Sequence, residues 1–136
     1  MRILSKVKDG GQESPVDAYF LVEWKSVFSI ALLKFHKGRR EQFHTHAFNA
    51  LTWLVSGDLI EEDCDTGDFY QYDRFLMPKV TKRTTNHRVT AFKDSWCFTV
   101  RGPWSSEWRE VDKDKNTVST LTNGRKVTKV NQFNQD

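Results

Sequence analysis

Apolar and polar residues alternate along most of this chain in short bursts. In "SWCFTVRG" (95–102), Trp96, Phe98 and Val100 alternate with Cys97, Thr99 and Arg101, the period of a strand with two unlike faces. Segments 18–24, 27–36, 50–56, 58–63, 68–72 and 87–92 are equally short and rich in β-branched or aromatic residues. Turn signals separate them at Lys37-Gly38, Ser56-Gly57-Asp58, Asp65-Thr66-Gly67-Asp68 and Lys93-Asp94. No segment sustains a helical apolar period. Short strands at roughly ten-residue spacing predict an all-β sandwich, barrel or jelly roll.

The ends are less regular. Residues 1–16 are polar, with Gly10-Gly11 and Pro15, and suit a loose lead-in or an edge strand. After "RGPW" (101–104) the pattern predicts an amphipathic strand and then a hairpin turning at Asn123-Gly124, with a frayed tail. The chain therefore divides into a lead-in (1–17), a barrel (18–102) and a C-terminal β extension (103–136), all within one domain.

Composition narrows the class of protein. The chain has 136 residues, ten Phe, five Trp and three Tyr, enough to fill a core without staples. A formal charge of +3 gives no reason to expect nucleic acid. The first residues lack an apolar signal region, no run reaches the length of a membrane span, and two cysteines make no disulfide framework. The expectation is a cytoplasmic protein. Cys97 reads as a small core residue, and Cys64 as a dull thiol in an acidic loop. Trp53 and Trp96 read as core, while Trp104 and Trp108 could offer a surface for ligand stacking.

The candidate chemistry lies in "EQFHTHAFNALTWLVSGDL" (41–59). His44 and His46 are two residues apart, so in extended chain both rings point to one side and can converge on one ion or substrate. Gly38 precedes His44 by five intervening residues; three separate His46 from Ala50, and six separate Ala50 from Gly57. That spacing resembles the first cupin motif, G-x5-H-x-H-x3/4-E-x6-G, with Ala50 where the family has a glutamate ligand. Gly57 would then make the tight turn into the next strand. The second motif is degenerate. Pro78 is in place, but strict counting puts Val80 at the second glycine and Arg83 at the histidine. His87, in "TNHRV", opens a strand as the family's third ligand does; otherwise it is a surface residue of a basic loop. "FHTHAFNALTW" with a later "RGPW" also resembles small cupin-like proteins encoded by bacteriophages.

The resemblance implies a cupin-type jelly-roll β-barrel with His44, His46 and His87 as metal ligands. Three histidines without a carboxylate resemble the thiol dioxygenases of that superfamily. The implied function is a metal-dependent oxygenase with Fe(II) as the expected ion; Zn, Ni, Mn and Cu also suit imidazoles. Losing the glutamate leaves the site more positive and favours a small anionic substrate. Arg101, ending an aromatic-rich strand, could grip that anion or pair with a neighbouring Asp or Glu. Arg39, Arg40, Lys79, Lys82, Arg83 and Arg88 would surround the barrel mouth or form a solvated loop surface. His36 reads as peripheral.

The rival reading is a non-catalytic binding protein, holding a small ligand or, in a phage setting, modulating a host protein in the host cytoplasm. A sugar or nucleotide isomerase fits less well, because no second acid or base stands out. Cupins also form homodimers by edge-strand pairing, a role open to residues 1–16.

Overall fold

The structure is a computed structural model and describes residues 1–9, 14–39, 43–72, 78–112, 115–122 and 126–132. Its strands are β1 (Arg2–Lys8), β2 (Val16–Trp24), β3 (Phe28–Phe35), β4 (Gly38–Arg39), β5 (Phe43–His44) and β6 (Ala50–Asp63). They continue with β7 (Phe69–Gln71), β8 (Lys79–Thr81), β9 (His87–Arg101), β10 (Glu107–Asp112), β11 (Thr117–Thr122) and β12 (Lys126–Gln132). Among the described residues there is no helix, and so none long and apolar enough to cross a membrane. Neighbouring strands pair antiparallel in the order β1-β2-β3-β9-β5-β10-β11-β12, and β6 lies along the other side of β9 carrying β7 and β8. The fold is all-β.

β9 organises the sheet. Its residues 95–101 pair with β3 on one side while nearly all of its length pairs with β6 on the other. Odd-numbered positions of β9 face inward: Ala91, Ser95, Cys97, Thr99 and Arg101 are all buried. Ala18, Phe20, Ala31, Leu33, Leu54 and Leu59 meet them in the main core. Burial of this kind stabilises by about 25 cal/mol per Å² of apolar surface removed from water.

Several sequence expectations are corrected here. The turns expected at Ser56-Gly57-Asp58 and Lys93-Asp94 do not form; β6 and β9 run straight through as strands of 14 and 15 residues. Gly57 serves a bulge instead. Its φ of +112°, and a Cβ position only 2.1 Å from Ser95 Oγ, leave room for no side chain. Around it the register against β9 shifts between Leu54 and Leu59. Ser95 Oγ fills the space, donating to Lys93 O (2.8 Å) and accepting from Asp58 N (2.9 Å). The loop expected after Pro78 contains β8, paired with the start of β6.

Trp53 and Trp96 are half-buried on the outer face rather than in the core, because the pleat that turns Leu54 and Cys97 inward turns their neighbours out. Within 1–16, residues 2–8 form the edge strand β1, paired to β2. The C-terminal segment forms β10, β11 and β12, joined to the sheet through β5. Asn123-Gly124 and Arg40 lie outside the described residues.

Candidate metal centre

β5 and the start of β9 lie side by side, with His44 directly opposite His87. The chain leaves β5 at once, and the next residues are pinned from several directions. Thr45 N donates to Arg109 O and Thr45 Oγ1 accepts from Arg109 N, both at 2.8 Å; Asn49 Oδ1 accepts from Arg83 N at 2.7 Å. These bonds hold His46 beside the other two histidines.

The three rings form a nearly equilateral triangle. Centroid separations are 4.8 Å for His44–His46 and 4.9 Å for both His44–His87 and His46–His87. One nitrogen from each lies within 4.8 Å of the others. Nε2 of His46 and Nε2 of His87 face one another at 2.7 Å. Two ring nitrogens that close cannot both carry protons: they share one proton, or their lone pairs face a cation. Phe48 stacks on His46 at 5.1 Å and fixes that ring's plane.

Glu61 stands behind His87. Its Oε1 lies 2.7 Å from His87 Nδ1, off the axis of the ring N–H, so the contact is an ion-pair approach more than a linear hydrogen bond. Both side chains are 5 % exposed. Tyr72 donates its hydroxyl to the same oxygen at 3.0 Å, and Lys79 Nζ lies 3.7 Å from Oε2. Burial pushes the Glu61 carboxyl up, yet His87, Lys79 and Tyr72 together bring it below its ordinary value. Burial, with the Glu61 charge alongside, raises the Tyr72 phenol well above its ordinary value, so Tyr72 stays a donor. A carboxylate at Nδ1 keeps the proton there and leaves Nε2 as a lone pair aimed at the triangle. This donor set fits a divalent metal ion.

The histidines line a cavity of about 80 Å³. Leu33, Phe35, Phe48 and Val89 supply apolar wall, and Thr52, Thr81 and Thr99 supply hydroxyls. Ala50, at the motif's glutamate position, also lines it and offers no donor. Arg101 is 3 % exposed and lines the same cavity. Its Nη1 and Nη2 donate to the two Asp9 oxygens at 3.2 and 2.6 Å, and its guanidinium stacks on Phe48 at 4.5 Å. In this structure Arg101 is paired with an acid.

Other candidate groups lie away from the triangle. His36 Nε2 is 2.8 Å from Asp17 Oδ2. Arg88 pairs with Glu62 at 2.9 Å and stacks on Phe43. Cys64 is buried against Phe43 and Val111, not exposed in an acidic loop. Trp104 packs between Phe48 and Trp108. The sequence reading missed Glu61 and Asp9.

An antiparallel barrel with a histidine cluster on its inner wall defines a cupin-type jelly roll, and the chain has the cupin fold. Neither a protein-family model nor a curated sequence matches it. Solved structures do. Ectoine synthase from P. lautus is similar with a TM-score of 0.58 at 15% identity, over 74% of this chain and 72% of that one. An RmlC-like cupin from Shewanella frigidimarina gives 0.55 at 13%, over 74% and 84%. A conserved protein of unknown function from Streptococcus pyogenes gives 0.55 at 13%, over 76% and 96%. At such identities the likeness is one of fold.

Proposed function

We propose that this chain is a metal-dependent cupin enzyme that oxidises a small anionic molecule, with non-haem Fe(II) held by His44, His46 and His87. The observation that supports this reading is the triangle of imidazoles at the wall of a small, largely apolar cavity. An ion bound there would supply Lewis-acid and redox chemistry. The protein's own part is positional. Glu61 holds the proton on His87 Nδ1, Phe48 fixes His46, and the apolar wall limits the water around a bound molecule. The cavity has space for several water-sized groups of about 10–15 Å³ each, which suits a small substrate. An anion would reach Arg101 by replacing the Asp9 carboxylate.

Elemental analysis of untagged protein beside a His44→Ala control tests the reading. Near-stoichiometric iron, lost in the control while the far-ultraviolet spectrum stays that of a folded β-protein, is the expected result. Zinc or nickel would keep the centre and remove the oxidative chemistry. No metal, even after anaerobic addition of Fe(II), would refute it. Arg101→Leu should weaken binding of small carboxylates without changing metal content; unaltered binding would remove Arg101 from the substrate site.

A second reading, a non-catalytic binding protein, draws on one observation. Asp9 already neutralises Arg101 and Glu61 adds a negative charge beside His87, so the centre is less positive than the missing glutamate at Ala50 suggests.

A further inference from the structure

The outer face of the sheet opposite the cavity carries a row of aliphatic side chains six strands wide. Ile3 on β1 pairs with Val22 on β2, Val22 with Ile30 on β3, and Ile30 with Val100 on β9. Val100 pairs with Leu51 on β6, and Leu51 with Val80 on β8. With strands about 4.8 Å apart, this row is roughly 24 Å long and contains no polar side chain. A second row beside it runs Tyr19, Leu32, Phe98 and Trp53. Trp24 and Phe28, paired with each other, extend the face at one end.

Solvent reaches much of this surface. Ile3 is 62% exposed, Val80 56%, Trp24 42%, Leu51 37% and Leu32 36%. Together the exposed parts come to on the order of 800 Å², above the largest apolar patch of a typical monomer and equal to what each partner contributes to a standard stable interface. Lys6 and Lys34 lie over Tyr19 and Trp96 at the border, giving the apolar centre a charged rim.

We propose that this face joins two copies of the chain in a homodimer, sheet packed on sheet about a two-fold axis. A pleated apolar surface with no protruding polar group is complementary to itself, and sheets of this kind pack face to face about 10 Å apart. The contact uses the face of the sheet, not its edge. It also braces the catalytic side: Leu51, Val80 and Val100 alternate with residues whose side chains line the cavity on the same three strands.

Sedimentation velocity of the full chain tests the proposal. Dimers are expected within a range of about 1–100 µM, the weak end for an interface of this size. Val80→Glu and Leu51→Lys, both at exposed positions, should each weaken self-association by roughly tenfold or more while leaving the unfolding midpoint unchanged. A wild-type chain that stays monomeric throughout, including one that captures a different protein, would overturn the proposal. So would a dimer indifferent to both substitutions. If either charged variant fails to fold, Val80→Cys carrying a spin label decides, since Cys64 and Cys97 are buried and the label goes to the new thiol. Dipolar coupling between two labels supports the dimer, and its absence at concentrations where the chain sediments as a dimer rejects this face.

Discussion

His87 is held from two sides, by His46 at Nε2 and by Glu61 at Nδ1. Carboxylates behind metal-binding histidines typically account for about 10–100-fold in metal affinity. Glu61→Gln should therefore weaken metal binding by about that factor without unfolding the chain, measured by competition with a chromophoric chelator; unchanged affinity would separate Glu61 from the centre. Spacing made His44 and His46 legible in the sequence, and strand position suggested His87. Glu61 was hidden because "LIEED" reads as an acidic outer edge.

A second carboxylate makes a separate prediction. The His36 ring beside Asp17, with Lys8 next to it, holds that carboxyl down at about 2 instead of 3.8. A carboxyl depressed by folding contributes stability in full above its unfolded value and loses it as pH falls through its folded one. That contribution should fade between about pH 4 and 2. Asp17→Asn should flatten the acid limb of stability against pH there, as followed by urea unfolding; an unchanged limb would assign the acid sensitivity elsewhere.

Among the elements, β6 explains what the alternation could and could not show. Ala50, Thr52 and Leu54 face inward at even positions, whereas Leu59 and Glu61 face inward at odd ones. The bulge at Gly57 makes that exchange, and a reading by strict alternation carries Glu61 to the wrong face. The strands themselves were legible because β-branched and aromatic residues mark them. The bulge was not, because a glycine beside polar residues signals a turn and a bulge alike, and only the partner strand distinguishes them. Gly57→Ala should destabilise the fold by about 2–5 kcal/mol, combining left-handed strain with overpacking against Ser95. A urea midpoint equal to wild type would show that the bulge is soft.

At the scale of the whole molecule, the cavity and the core share one wall, so opening either means opening the barrel. Cys97 is fully buried, and burial pushes its thiol up to about 12. Its reaction with a thiol reagent should follow global unfolding, accelerating in urea in step with loss of β structure; rapid labelling in buffer would reveal a local opening. Asp9 ties the turn after β1 to the end of β9 through Arg101, closing one side of the cavity with a chain segment far away in sequence. No local pattern announces such a partner.

The two faces of β9 have a genetic consequence. Odd positions of that strand serve the cavity and core, and even positions 96, 98 and 100 serve the outer face. Substitutions on one parity can drift without touching the other, so substrate preference and self-association are free to evolve separately. A single inserted or deleted codon within the strand exchanges the parities. It would lose both properties at once, which makes β9 the stretch of this gene least tolerant of a change in length.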